Sequence, residues 1–548
     1  MKDLVVAWQF PKEGGHGDLA TNAPLALAKT LGKKPMEIAE VIVAALSKDK
    51  KLVEKAEVAG AGYVNVWLMP SALFDAADQA KESTKPKKTR KEQPVIIEYS
   101  QPNIAKPLGV HHIIGTVIGQ ATVNMYRHAG FPVISWNYIG DWGTQFGKLA
   151  VAYQKWGKGK PVSQFTLAEL LKLYVQFHDE AEKDATLEDQ GREAFRKLEQ
   201  GDTELRAFWT DVVAVTKASL AGVYERLHVS FDLDLGESFY EDKMEPILTD
   251  GKKKNVFTEG EGGSLIVEFP EDKKMPPYLV LKGDGATLYS TRDLAQMRYR
   301  MDTYEPQEIL IFTDIAQKLH FQQLVETCAM LGWNIPPFEN VLFGRMRFAD
   351  ASMSTRKGSV LNLEEVIGEA VKRADAIIKE RGDAIQTDDP KDLAEMMGTG
   401  ALVYGIISQN RKLDMVFDWD KMLSFEGNSA PYLQYTHARA RSVLRKAEAK
   451  KPAFPKTIEE LQSHDRALIK TILRFPSALE EARVGHMPHI LSTYLYQLCQ
   501  EFNAFYNAQP IAKAEGSVRE MRLALTEIAA DILGSGAEIL TLRMPDRM

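Results

Sequence analysis

The chain of 548 residues has very little cysteine, no long apolar run and no excess of basic charge. Its two cysteines, Cys328 and Cys499, are far apart and form no CxxC pair, so neither a disulfide framework nor a zinc site is indicated. No apolar run reaches the roughly 18–20 residues that a membrane span needs. The first residues lack the basic and apolar regions of a secretory signal. We therefore expect a cytoplasmic protein with no membrane partner and no structural metal.

The charge balance limits which nucleic acids are expected as partners. Lys and Arg number 68 against 75 Asp and Glu, a formal net charge of −7. A protein that coats DNA usually carries a basic excess, so DNA is not expected as a partner. One folded RNA remains compatible with this charge, because the total does not show how basic residues are distributed over the surface.

A single hydrophobic core stops growing near roughly 250–300 residues, so a chain of this length is expected to form two or three domains. Three segments with different patterning do follow one another along the chain. Residues 1–80 predict a small α/β domain, with helical spacing over 19–46 that breaks at 32–35 and strand alternation toward residue 68. Residues 81–92 have almost no apolar side chains and predict a linker or a solvated loop. Residues 386–548 predict an all-α bundle, with helices over 394–408, 431–449, 458–482, 489–506 and 517–542.

The central segment, residues 93–385, predicts an α/β domain. A buried strand at 95–97, a helix over 111–128 and a strand over 131–138 form a βαβ unit, typical of a doubly wound parallel sheet of the Rossmann type. Charged helices dominate an apparent insertion around 151–250. Strand patterns return at 265–267, 278–281, 309–312 and 341–343.

Four polar segments of the central domain carry candidate chemistry. Residues 98–112, EYSQPNIAKPLGVHH, join a buried strand to a helix, where amides and Lys106 suit a phosphate; an ordinary capped turn explains the segment equally well. Residues 352–358, SMSTRKG, suit a triphosphate or are an exposed basic loop. In residues 284–293, Tyr289 and Asp293 are one helical turn apart and suit a guanidinium or a helix cap with a salt bridge. In 140–147, glycines pack a turn and Trp142 is expected in the core.

Taken together and in this order, the segments resemble the arginyl-tRNA synthetases, a class I family, over nearly the whole chain. Residues 100–106 resemble the family's SxPNxxK, 137–147 its NHxGDWGTQFG, 284–293 its DGTxLYxTRD, 317–321 its QxLHF and 352–358 its KMSTRKG. Residues 17–29 resemble the family's N-terminal domain. Residues 416–439 and the final MPDRM resemble its anticodon-binding bundle and C-terminus.

The resemblance implies an arginine–tRNA ligase. ATP and Mg²⁺ would activate arginine as arginyl-adenylate, and the terminal adenosine of arginine tRNA would accept it, with activation dependent on bound tRNA and the protein acting as a monomer. The implied arginine-binding residues are Glu98, Asn103, Glu237, Tyr289, Asp293 and Gln317. Those facing ATP are Lys106, His112, Met353, Ser354 and Lys357, of which Lys106, His112, Ser354 and Lys357 are the predicted catalytic residues. The implied tRNA contacts are Asn22, Tyr435, Arg439 and Met548. No metal-ligating residue is implied.

Two positions depart from the family pattern. The HIGH-type motif usually reads HxGH, whereas positions 109–112 read Gly-Val-His-His, so only His112 falls on a matching histidine. Ser352 stands where the KMSK-type motif begins with lysine. These departures leave two alternatives open: a catalytically weakened, synthetase-derived tRNA-binding protein, and a class I synthetase for another amino acid. The N-terminal segment and the pair Tyr289/Asp293 disfavour the second.

Overall fold

The computed structural model describes residues 7–11, 14–348, 362–458, 460–508 and 510–548. The chain divides into two compact units. Unit 1 comprises residues 1–86, 375–400 and 423–548, and unit 2 comprises residues 87–374 and 401–422. No helix in the described part of the chain is long and apolar enough to cross a membrane. The domain bounds 1–80, 93–385 and 386–548 remain predictions.

Unit 1 begins with a small α/β module. Its elements are β1 (Leu19–Thr21), α1 (Ala23–Leu31), α2 (Pro35–Leu46), β2 (Val53–Ala59), β3 (Tyr63–Leu68) and α3 (Pro70–Glu82). The strands form an antiparallel sheet in the order β1-β3-β2. The helical pattern breaks where predicted, because Gly32 adopts a left-handed φ of 62° and Pro35 starts the next helix.

Unit 2 is built on a parallel sheet. Its elements up to the end of that sheet are β4 (Val95–Glu98), α4 (His112–His128), β5 (Val133–Trp136), α5 (Thr144–Trp156), α6 (Leu167–Ala181), α7 (Thr186–Glu199), α8 (Thr203–Arg226), α9 (Met244–Lys253), β6 (Thr258–Glu259), β7 (Leu265–Val267), β8 (Tyr278–Leu281), α10 (Tyr289–Tyr304), β9 (Glu308–Asp314), α11 (Lys318–Met330) and β10 (Phe338–Phe343). The order is β10-β9-β4-β5 and every pairing is parallel. All four residues of β4 are buried, as a strand covered on both faces requires.

Two parts of unit 2 lie outside this sheet. The insertion is helical, as predicted: α6 starts with a capping box between Thr166 and Glu169, and α5 packs against α7. The strands predicted at 265–267 and 278–281 do form, but they pair antiparallel with β6 in a separate sheet of order β6-β7-β8. The strand predicted over 131–138 is shorter than expected, because only Val133–Trp136 pairs with β4.

The remaining elements complete both units. They are β11 (Met346–Phe348), α12 (Leu363–Arg381), α13 (Pro390–Ile407), β12 (Met415–Phe417), α14 (Trp419–Met422), α15 (Ala430–Lys446), α16 (Ser463–Leu473), α17 (Phe475–Val484), α18 (Pro488–Ala508) and α19 (Gly516–Ile539). Helices α15–α19 form the bundle in unit 1. The single helix predicted over 458–482 was wrong: the chain forms α16 and α17 instead, because Pro476 lacks an N–H and is accommodated only in the first turn of a new helix.

Candidate active site

The site lies where strands of the parallel sheet end. Glu98 is the last residue of β4 and pairs in register with Ile311 of β9. The loop that follows has three non-glycine residues with left-handed φ, Ser100 (78°), Gln101 (53°) and Ala105 (63°). Such backbone costs free energy and persists only where the surroundings hold it. Ser100 Oγ supplies one restraint, since it lies 2.8 Å from Tyr224 Oη and 2.9 Å from Thr116 Oγ1.

Glu98 is buried and its carboxylate already has partners from this chain. Gln101 Nε2 donates to Oε1 over 2.6 Å, and Gln296 Nε2 donates to Oε2 over 3.2 Å. The fully buried guanidinium of Arg300 donates to Oε2 as well and lies 4.4 Å from the ring centroid of Trp136. A substrate guanidinium would therefore have to share this carboxylate with Arg300 or displace Gln101.

Tyr289 and Asp293 lie on one face of α10, as their spacing predicted. Both contact the same side chain: the Tyr289 ring meets the His320 ring edge-on at 4.9 Å, and Asp293 Oδ2 lies 2.6 Å from His320 Nε2. Asp293 is 8% exposed and Tyr289 is 60% exposed. Among the described residues none donates a hydrogen bond to Asp293 Oδ1. A buried carboxylate with one oxygen unpaired is thus available to a cationic ligand, next to an exposed phenol.

Glu237 and Tyr138 complete a group of acidic side chains. Burial raises the pKa of Glu237 to about 7; the positive charge of Arg292 opposes this shift, and Asp293 adds to it. Burial raises the pKa of Tyr138 well above its usual range, and nearby charges raise it further, among them three predicted arginine-binding residues: Asp293, Glu237 and Glu98. The Tyr138 hydroxyl is buried and has no hydrogen-bond partner among the described residues. The charges of these three carboxylates therefore all act on one phenol.

Asn103 and Gln317 are two further predicted arginine-binding residues. Asn103 is exposed and forms a parallel bridge to Gly140, where a Cβ would lie 2.3 Å from Asn103 Oδ1. A larger residue at position 140 would require the Asn103 side chain to move, in keeping with the tight glycine-rich turn that the sequence suggested. Gln317 is exposed and directly precedes α11, three residues before His320.

The predicted ATP residues that the structure describes lie at the start of α4. His112 is its first residue, and its Nδ1 accepts a hydrogen bond of 3.1 Å from the Gly109 N–H. Burial, followed by the neighbouring His111, lowers the pKa of His112 to about 4, so it is a neutral side chain near pH 7. Its ring centroid lies 4.0 Å from that of His111. Lys106 is exposed, with its ammonium 5.2 Å from the Tyr174 ring centroid.

Met353, Ser354 and Lys357, like Ser352, lie outside the described residues. Their roles remain predictions from the resemblance alone.

The predicted tRNA contacts lie in unit 1. Asn22 is exposed and occupies the N-cap of α1 without a side-chain capping bond. In α15 the Arg439 guanidinium lies over Tyr435 at 4.7 Å and over Tyr506 at 5.0 Å, and it donates to Asn503 over 2.6 Å. Met548 is half-buried.

Sequence reasoning missed three side chains of this site: His320, Tyr138 and Arg300. His320 belongs to the quoted QKLHF and Tyr138 to the quoted segment 137–147, so both motifs pointed to the region but not to these residues. Arg300 carried no signal, because only the fold brings it to Glu98. The expectation for Trp142 is confirmed, since it is 2% exposed and packs against Phe195 and Trp209.

Comparison with known proteins now decides the family. The model described as "tRNA synthetases class I (R), catalytic domain" matches residues 76–419, which is more than half of the chain. The models for the DALR anticodon binding domain and the arginyl tRNA synthetase N terminal domain match residues 433–548 and 2–68. The chain belongs to the arginyl-tRNA synthetase family.

Full-length relatives agree with this assignment. The arginine–tRNA ligase of Fusobacterium nucleatum is 36% identical, over 97% of this chain and 93% of that one. The enzyme of that name from Alkaliphilus metalliredigens is 37% identical, over 100% and 96%. The solved arginyl-tRNA synthetase of Thermus thermophilus has a TM-score of 0.80 and 26% identity, covering 99% of this chain and 96% of that chain. The family accounts for the parallel sheet, the N-terminal module and the helical bundle in one chain.

Proposed function

We propose that the protein is an arginine–tRNA ligase of class I, which activates arginine with ATP and transfers it to the terminal adenosine of arginine tRNA. The observation that carries this assignment is a group of three carboxylates, the buried Glu98 and Asp293 and the half-buried Glu237, in a chain whose relatives over its full length are named arginine–tRNA ligases. The relatives favour catalysis over a weakened tRNA-binding protein.

Asp293 is the proposed anchor of the substrate guanidinium. Burial of a carboxylate costs free energy, which a cationic ligand recovers by pairing with the unpaired oxygen. A neutral analogue does not recover this free energy, so such a site rejects it. Tyr289 would cover the guanidinium from the exposed side. Glu98 would contribute from the end of β4, while Glu237, Asn103 and Gln317 would hold the α-amino and carboxylate groups of arginine.

ATP is proposed to bind near the start of α4, with residues of the segment 352–358. Positioning and charge stabilisation drive adenylate formation, without a protein nucleophile. Lys106 would meet a phosphate oxygen as a cation, and neutral His112 would act through hydrogen bonding. The described residues contain no group of three or more His, Cys, Asp or Glu that could hold a metal ion. Mg²⁺ is proposed to assist the reaction together with ATP.

Further features of the protein are part of this proposal. Asn22, Tyr435, Arg439 and Met548 are the proposed tRNA contacts. The protein is proposed to act as a monomer in the cytoplasm, with neither DNA nor a membrane as partner.

ATP–pyrophosphate exchange tests the assignment, with each standard amino acid and with or without arginine tRNA. We expect exchange with arginine alone among them. In D293N, which leaves the guanidinium without its anion, we expect kcat/KM for arginine to fall by about 10²–10³, the loss typical when a buried charge loses its partner. D302N is the matched control, because Asp302 lies on the same helix but pairs with Arg298 at the surface. Exchange with another amino acid, or no exchange while arginine tRNA is retained on a filter, would overturn the assignment.

A further inference from the structure

His320 connects three elements around the proposed guanidinium anchor. It lies in the first turn of α11, and its side chain is 10% exposed. Its Nε2 is 2.6 Å from Asp293 Oδ2 of α10, and its Nδ1 is 3.2 Å from the Tyr278 hydroxyl of β8. The imidazole thus bridges a phenol and a carboxylate through its two ring nitrogens.

These contacts determine which ring nitrogen carries hydrogen. A lone pair on Nε2 would face a carboxylate oxygen at 2.6 Å, so Nε2 must be the donor to Asp293. Burial raises the pKa of Tyr278 well above its usual range, so its hydroxyl keeps its proton and can donate to Nδ1. Tyr278 therefore favours the tautomer in which His320 donates to Asp293.

The frame around this chain of hydrogen bonds is rigid. Ser290 Oγ donates to the Leu279 carbonyl over 2.6 Å, and Thr291 Oγ1 donates to the Val280 carbonyl. These two hydroxyls fasten the first turn of α10 to β8. Asp293 and Tyr278 are consequently held at a constant separation, and His320 fits between them.

We propose that His320 is a positioning residue for arginine recognition, which holds Asp293 by Oδ2 so that Oδ1 is presented to the substrate guanidinium, with Tyr278 setting its tautomer. This inference rests on the proposed function, because it assigns Asp293 to that guanidinium. It predicts that His320 affects the affinity for the cationic side chain, and not the adenylation step itself.

The test compares two substitutions of similar size. In H320Q the amide nitrogen can reach the place of Nε2 and still donate to Asp293, whereas in H320N the shorter side chain can replace only Nδ1. The KM for arginine and kcat are measured by ATP–pyrophosphate exchange with arginine tRNA, together with the inhibition constant of citrulline, which has a neutral urea in place of the guanidinium.

We expect H320N to raise the KM for arginine about tenfold or more, since a hydrogen bond to a charged group is lost, while kcat and the inhibition constant of citrulline stay within about threefold. H320Q should restore most of the loss. Y278F should have an intermediate effect, because it removes the preference for one tautomer but leaves the Asp293 contact.

Four results would overturn the inference. If H320N and H320Q are equally impaired, or if both lose kcat while the arginine-to-citrulline preference is unchanged, His320 only supports packing. D293N separates this failure from that of the proposed function. If D293N leaves the preference for arginine over citrulline intact, Asp293 is not the anchor and both proposals fail; if D293N abolishes the preference while H320N does not alter it, only the role of His320 fails.

Discussion

At the scale of single residues, the proposed arginine pocket holds several acidic side chains, although burial disfavours charged groups that have no partner. Glu98 tolerates burial because Arg300 and two glutamines donate to it, and Asp293 because His320 does. No side chain among the described residues donates a hydrogen bond to Glu237, and burial raises its pKa to about 7. The free pocket therefore holds one carboxyl poised to lose a proton when a cation arrives.

The raised pKa of Glu237 predicts that arginine binding depends on pH. In the proposed site the α-ammonium of arginine would pair with ionised Glu237, so the KM for arginine should fall as pH rises from 6 to 8, by up to about tenfold, the change in the ionised fraction of a group with a pKa near 7. The measurement is the KM for arginine in the exchange assay across that range.

Two variants separate Glu237 from other titrating groups. E237Q should flatten the pH profile, whereas E245Q, at an exposed position of α9, should keep the wild-type slope. A profile of unchanged slope in E237Q would contradict the assignment. The same raised pKa affects stability: the folded state binds more protons than the unfolded chain between about pH 4.5 and 7, so the stability contributed by this group is lost as pH rises through that window.

At the scale of secondary-structure elements, the insertion depends on a close helix crossing. Helices α5 and α7 meet at Gly147, where a Cβ would lie 2.1 Å from the Gly191 carbonyl oxygen and 2.7 Å from the Phe195 amide nitrogen. Backbone atoms cannot yield as the end of a flexible side chain can. The helical character of the insertion was readable in sequence, but the need for glycine at this crossing was not.

Substitution of this glycine should loosen the helix pair. We expect G147A to destabilise the insertion by about 1–3 kcal/mol, the usual cost of overpacking. G222A in α8 is the control, because nothing lies within 4 Å of its Cβ position and alanine favours helix by about 0.5–1 kcal/mol. Hydrogen exchange of the α5 and α7 amides should accelerate in G147A and not in G222A. Equal protection in both variants would contradict the claim that the close contact of α5 and α7 requires glycine at position 147.

At the scale of the whole molecule, unit 1 joins the two ends of the chain. The N-terminal module, residues 14–82, packs on the bundle through α3 against α16 and α19. Arg466 of α16 donates to the buried carboxylate of Asp18 over 2.7 Å and pairs with Glu54. Asp18 also accepts from the Leu68 amide over 2.8 Å. This contact ties the sheet of the module to a helix of the bundle.

Removal of Arg466 should therefore release the module. In R466M, Asp18 is left buried without its cation, and we expect a loss of about 3 kcal/mol, with hydrogen exchange in β1 and β3 accelerated on the order of a hundredfold. R543M is the matched control, since Arg543 pairs with Asp392 at an exposed position, where an ion pair contributes less than about 1 kcal/mol. If R466M and R543M lost equal stability, the loss in R466M could not be attributed to the burial of Asp18.

The sequence by itself determined the parallel-sheet catalytic fold, the helical insertion and the bundle, since their hydrophobic periodicities are local, and its motifs determined the family. It also brought Tyr289 and Asp293 to one helix face. Only the tertiary structure decided their partners: His320 is 27 residues from Asp293, and Arg300 is 202 residues from Glu98. Folding brings side chains from distant segments together, and these side chains decide which oxygen of a buried carboxylate stays unpaired. No local sequence pattern predicts such long-range contacts.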